Sequence, residues 1–397
     1  MSRRKPKYKA KSSKTPLIIG IVVLVLALVA AGVAFVPGLL AERDEDTMNT
    51  TQPTTTQPTT VPEPTAEPTE DSTEEITEDP TEEMTEPPTE PEQDYFNPLT
   101  GEKIDGPATS RVFAVTINNI RPAIPHYGVS KADLYFEMFI NDYATRGLAL
   151  YYDINEVSDI GSVRSQRYNF TDIACSYDAV AVYSGGSDEV LNDMKSSGVD
   201  SIYAEVSGGD YYYRDQGRKS SGYSSEHCLF VKGPEVKAFA ESQGISVTQD
   251  PNKNYGLTFG ETSSAAGGED AAKVRITFNL YDNYKITEMI YDQESGLYIY
   301  NQYGKEMKDA IYKEKEGFRN VIVVFANVTN KGVYHVADLE GEGKGYFACD
   351  GKIIPIRWSR AGDSDTFHFT LEDGTPLIQG VGSSYIALVP LKSSVKW

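Results

Sequence analysis

Leu17 to Leu40 is a run of twenty-four residues without a single charge. At about 1.5 Å per residue in a helix, it is long enough to cross a hydrocarbon core of roughly 30 Å. Seven basic residues precede or flank its start (Arg3, Arg4, Lys5, Lys7, Lys9, Lys11, Lys14), and residues 1–41 hold no acid. The positive-inside rule keeps that end cytoplasmic. The expected layout is a cytoplasmic basic tail over 1–16, one transmembrane helix over 17–40, and folded domains on the extracytoplasmic side of the cell membrane. A cleaved signal peptide is the competing reading. The apolar run is longer than a usual signal core, and no small-x-small cleavage site follows it cleanly. No Cys lies near the run, so a lipid-modified cysteine is not expected there.

Residues 41–94 differ in kind. Pro, Thr and Glu recur, as in Thr65-Ala66-Glu67-Pro68-Thr69-Glu70 and Thr85-Glu86-Pro87-Pro88-Thr89-Glu90. Such a segment has almost nothing apolar to bury and cannot offset its chain entropy. A disordered, extended spacer is expected; fully polyproline-like, it would reach on the order of 150 Å. It also carries most of the charge. The whole chain is −21, residues 1–41 are +7 and residues 42–94 are −17, which leaves −11 for residues 95–397. A moderately acidic folded part has no basic face for nucleic acid.

The folded part opens on a turn, Asn97-Pro98-Leu99-Thr100-Gly101. Arg111 to Asn118 alternates as a strand does, and Leu134–Ile140 and Gly147–Tyr152 read as a strand pair. Gly161-Ser162-Val163-Arg164-Ser165-Gln166-Arg167 comes next, ahead of a helical pattern over Tyr168–Tyr177. Ser162 or Ser165 suits the N-cap. Arg164 and Arg167 would then sit near the exposed N–H groups of the first turn, a place that favours anions. Asp178–Tyr183 is a further strand, followed by Ser184-Gly185-Gly186-Ser187 and a second helix that Gly198 ends. Two strand–loop–helix junctions with parallel strands would bring both helix N-termini to one sheet edge, where ligands of open α/β sheets bind. The candidate site therefore comprises Arg164, Ser165, Arg167, Gly185, Gly186 and Ser187. In the competing reading, Asp133 and Glu137 pair with the two arginines inside the fold. Residues 207–228 form a long polar loop rich in Tyr, suited to stacking or to packing as a flap. His227-Cys228 is a poor nucleophile pair, because adjacent side chains on an extended chain point apart.

Beyond residue 270 come short alternating runs separated by turns such as Asp350-Gly351, a hairpin signal. The expected fold class is α+β. An N-terminal mixed α/β sheet domain with flanking helices spans 95–250, and a C-terminal, mainly antiparallel β domain spans 270–397. The four histidines show no ligand spacing, so neither metal nor cofactor is expected. Cys175 and Cys349 fall in helix and strand patterns and suit buried small hydrophobes.

The motifs occur in a familiar order. Asn97-Pro98-Leu99-Thr100-Gly101, Ile117-Asn118-Asn119, Ser130 to Glu137, Thr145-Arg146, Gly161 to Arg167 and Tyr183 to Ser187 resemble those of the YerB-like family, as do Gly343-Lys344-Gly345-Tyr346 and Trp358-Ser359-Arg360. The family comprises bacterial envelope proteins with two domains of unknown function, and the resemblance covers nearly all of 95–390. It implies an extracytoplasmic location and puts Asp133, Glu137, Arg146, Arg164 and Arg167 at motif positions, which adds Asp133, Glu137 and Arg146 to the candidate ligand-binding residues. It brings no established chemistry. Many members look like lipoproteins, whereas this chain carries an apolar run instead. The expected function is a membrane-tethered module that binds an anionic or glycan ligand of the envelope, such as a wall polymer, or a protein partner. An envelope enzyme using Asp133 and Glu137 as acid–base groups is the first alternative, and a scaffold without a small ligand is the second.

Overall fold

The computed structural model describes residues 93–397, apart from 142–143, 206–208 and 281–282. The basic tail over 1–16, the membrane helix over 17–40 and the linker as far as residue 92 lie outside the described residues. Among the described residues, no helix is long and apolar enough to cross a membrane.

Ser384–Pro390 (Ser-Tyr-Ile-Ala-Leu-Val-Pro) is buried along its whole length. A strand apolar on both faces needs a neighbour at each edge and cover above and below. It finds both. It runs parallel to Asn320–Lys331 on one side, with Ile386 opposite Ile322, and parallel to Leu134–Asn141 on the other, with Ile386 opposite Phe136. The result is one twelve-stranded mixed sheet. From the Ser384–Pro390 strand it continues through Asn320–Lys331, Gly341–Cys349 and Lys352–Arg360 in one direction. In the other it continues through Leu134–Asn141, Ala144–Tyr151, Phe113–Asn118, Val180–Tyr183 and Ser201–Tyr203.

Strands of the N-terminal unit over 95–250 and of the C-terminal unit over 270–397 meet in this sheet. The two sequence units share a sheet, and the described residues from 93 on lie in one compact unit. Local patterning identifies strands but not their long-range partners, so the join was not readable from it. A six-stranded antiparallel sheet built on Lys273–Leu280, Asn283–Asp292 and Leu297–Gln302 supplies the antiparallel character expected of the C-terminal part.

One face of the large sheet (Val115, Tyr135, Ala149, Val182, Tyr385) packs against the six-stranded sheet through Phe278, Met289 and Tyr300. The other face (Ala114, Phe136, Leu148, Ala181) receives Phe170, Ile173 and Ala174 of the helix Tyr168–Ser176. The Tyr-rich stretch after residue 208 is a packed flap: Tyr212–Arg214 pairs with Leu229–Lys232, and the Arg218 guanidinium lies 4.6 Å from the Tyr127 ring centre. Asp350 (φ 54°) and Gly351 (φ 71°) turn the hairpin between Gly341–Cys349 and Lys352–Arg360.

Candidate functional site

Arg146 lies on the strand Ala144–Tyr151, opposite Asn118. It is only 3% exposed. One of its terminal nitrogens donates to the Ser165 carbonyl at 2.9 Å, while its Nε makes no hydrogen bond. Arg167 donates to the same carbonyl at 3.3 Å and to that of Gln166 at 2.6 Å. Two guanidinium groups thus converge on one oxygen. Burial first, then the charges of Arg167 and Arg164, push the Arg146 pKa well below its ordinary value. Burial also lowers Arg167, to about 10; the neighbouring Tyr334 works against that shift and Arg164 adds to it. The Nε atoms of Arg164 and Arg167 are likewise without partners. Among the described residues, the single ion pair of the cluster joins Arg164 to Glu226 at 3.3 Å, and that carboxylate is about half exposed.

The loop that carries Arg164 and Arg167 is held by its own backbone. Arg164 N donates to Thr116 O (3.0 Å), Ser184 N to Arg164 O (2.9 Å) and Gln166 N to Gly185 O (3.0 Å). Gln166 is fully buried, accepting from Thr116 Oγ1 and donating to Thr171 Oγ1. Gly185 sits at φ +81°, and a Cβ there would come within 3.3 Å of Ser165 Oγ. The two loops before the helices therefore run side by side, at the C-terminal end of the parallel strands Phe113–Asn118 and Val180–Tyr183.

The route to that proximity differs from the expected one. Ala144–Tyr151 is antiparallel to Phe113–Asn118, and a short strand, Asp159–Gly161, intervenes before the loop. Neither Ser162 nor Ser165 caps the first helix; its N-cap is Arg167, with no side-chain cap bond. Ser187 does cap the second, Asp188–Ser197, accepting from Val190 N, and Gly198 closes it at φ +75°.

Asp133 and Glu137 stand apart from the arginines. Glu137 is completely buried. It accepts from Thr145 Oγ1 (2.5 Å), Tyr385 OH (2.6 Å), Tyr300 OH (3.0 Å) and Thr287 Oγ1 (3.1 Å), and it pairs with the Lys285 ammonium. Burial alone would raise its pKa, but the Lys285 charge and these donors bring it below the ordinary value. Asp133 immediately precedes the strand Leu134–Asn141 and accepts from Asn97 Nδ2 (2.8 Å) and Tyr152 N (2.7 Å). Burial outweighs those bonds and raises its pKa to about 6. The arginine–carboxylate pairing of the competing reading is thus replaced by two separate devices. Lys285 and Tyr385 sit on C-terminal strands, and no local pattern announces that they face Glu137. Glu226 and Tyr334, also at the arginine cluster, were missed for the same reason.

The shared sheet and the arginine cluster together define a β-rich protein of two sequence domains fused across one strand. The chain belongs to the YerB-like family. Residues 99–246 match the N-terminal domain, and residues 274–386 the C-terminal domain, of a family described as "Protein of unknown function (DUF3048)". It is 26% identical over 296 residues to YerB of Bacillus subtilis (strain 168), whose name provisionally classes it as a lipoprotein; the match covers 74% of this chain and 86% of YerB. The crystal structure of YerB superposes with a TM-score of 0.66, covering 76% of this chain and 99% of that one at 24% identity, and so shares the fold.

Proposed function

We propose that the protein is a membrane-tethered, extracytoplasmic module that binds an anionic ligand of the cell envelope through Arg146, Arg164 and Arg167. The observation that carries this reading is Arg146. A guanidinium removed from water, beside two like charges and with no carboxylate paired to it among the described residues, is costly to the fold. A bound anion compensates that cost, and guanidinium groups suit phosphate and carboxylate geometry. The acid–base alternative loses its support, since Glu137 is committed to Lys285 and Asp133 to Asn97 and Tyr152. The charge-free run over 17–40, the basic residues before it and the lipoprotein class in the name of YerB support the location.

Two measurements test it. The full chain in detergent micelles is titrated with inorganic phosphate, and purified wall fractions are used in pulldown. Wild type should bind, and an Arg164→Ala/Arg167→Ala variant should lose the binding. Equal retention of wild type and variant in every fraction removes the site. For the location, the folded part should be digested by protease added to intact cells; full protection contradicts the topology.

A further inference from the structure

The second half of the strand Asn320–Lys331 leaves the large sheet and pairs only with Tyr334–Asp338, forming a two-stranded arm. This arm belongs to the C-terminal sequence unit, yet it lies on the helices of the N-terminal one. Buried Asn169, on the first helix, holds it by two bonds, donating to Ala337 O (2.7 Å) and accepting from Ala337 N (2.8 Å). Lys331 adds a charge over the Tyr168 ring, 3.7 Å from its centre, and pairs with Asp193 at 3.7 Å. Between the arm tip and the helix Asp188–Ser197 runs a groove of about 700 Å³.

That groove adjoins Arg167. Tyr334 lines it and also carries the Arg167 guanidinium 4.9 Å from its ring centre. Ser187, at the end of the loop beside Ser165, lines it as well. The lining is mixed in the way polyhydroxyl ligands require. Tyr168, Tyr334 and Val333 give apolar surface, while Asn192, Asp193 and Ser196 give donors and acceptors. Residues three and four apart on a helix share a face, so these last three line up along the groove.

Charge runs in opposite directions at the two ends. Among the described residues, the arginine end holds three cations against the one carboxylate of Glu226. The groove end holds Glu189 and Asp193 against Lys331. An extended anion is repelled from the groove, whereas hydroxyl groups find acceptors there. The surplus of about two positive charges at the arginine end matches a phosphate monoester, close to −2 at neutral pH, better than a single carboxylate.

Resting on the anion-binding reading above, we infer that the ligand is a phosphorylated saccharide, its phosphate on Arg146, Arg164 and Arg167 and its sugar in the groove under the Lys331–Tyr334 arm tip. The site is then composite, with the charge anchor from one sequence unit and part of the sugar wall from the other.

The test is calorimetric titration of the full chain in detergent micelles with glucose 1-phosphate, inorganic phosphate and glucose. Glucose 1-phosphate should bind about tenfold more tightly than phosphate, the gain of one or two hydrogen bonds with stacking. In Asn192→Ala/Ser196→Ala, two exposed positions that can change without disturbing the core, that gain should vanish while phosphate binding stays. Arg164→Ala/Arg167→Ala should lose both. Equal affinity of wild type for phosphate and glucose 1-phosphate overturns the saccharide inference and leaves the anion site standing. Binding of neither overturns both.

Discussion

Arg146 and Glu137 sit one strand apart, both buried, and their charges are met in opposite ways. Glu137 has a full set of donors and an ammonium, whereas Arg146 has one carbonyl and two like charges. Their neutral variants should therefore move stability in opposite directions. Glu137→Gln leaves the Lys285 ammonium buried and unpaired, so about 3–5 kcal/mol of stability should be lost. Arg146→Met keeps the volume, removes the repulsion, and should raise the denaturation midpoint of ligand-free protein while abolishing phosphate binding, a trade of stability for function. Urea unfolding of the full chain with and without phosphate reads both effects, and a destabilised Arg146→Met would mean that the cluster is structural. Glu226→Gln frees Arg164 from its half-exposed partner and should tighten phosphate binding severalfold at low salt, less as salt screens the charges; unchanged affinity would place the anion away from Arg164. The arginines stood out in the sequence because two of them share a short serine-rich stretch. Lys285 did not, because alternation on Lys273–Leu280 and Asn283–Asp292 assigns a face to each side chain and says nothing about what lies opposite in another sheet.

Among the elements, the paired loops before the two helices carry the site. Their closeness was anticipated, but from parallel strands at both junctions; backbone bonds between Arg164–Gln166 and Ser184–Gly185 are what produce it. Strand existence was legible from alternation, and the Asp188–Ser197 helix from its cap and its glycine stop. The cap of the first helix was not, because the chain enters it from a loop already fixed by Thr116 and Gly185. Ser187→Ala should cost about 1 kcal/mol of stability by removing the bond to Val190 N, and a smaller sugar-phosphate affinity should accompany it as the groove wall frays. The strand Leu134–Asn141 brings a pH dependence through Asp133 at its start. The folded-state pKa, about 6, lies above the ordinary 3.8, so the folded protein holds the proton more tightly than the unfolded chain. Its stabilising contribution is complete below about pH 4 and is lost as pH rises toward and through 6. Thermal midpoints across pH 4–7 should fall more steeply with pH in wild type than in Asp133→Asn, which keeps only the decline from other raised carboxyls such as Asp172; parallel profiles would refute the assignment.

For the whole molecule, the position of Ser384–Pro390 decides how the chain behaves. A segment near the end of the sequence supplies the strand between Leu134–Asn141 and Asn320–Lys331, so neither sequence unit closes its own sheet. The Glu137 network repeats the join on one face, with Asn119 and Thr145 from the first unit and Lys285, Tyr300 and Tyr385 from the second. The gap between 250 and 270 marks a boundary between sequence units but not between cooperative units, since a boundary of contacts depends on pairings far apart in the chain. Residues 93–397 should therefore unfold in one transition, with near- and far-ultraviolet signals coincident. Ile386, buried and flanked by Ile322 and Phe136, is the place to test it. Ile386→Ala should cost about 2–5 kcal/mol. Hydrogen exchange should show the loss equally in Leu134–Asn141 and in Asn320–Val324, because global opening exposes both together. A loss confined to the C-terminal strands, or two separated melting steps, would show that the halves fold independently and that a ligand site drawing on both could be divided between them.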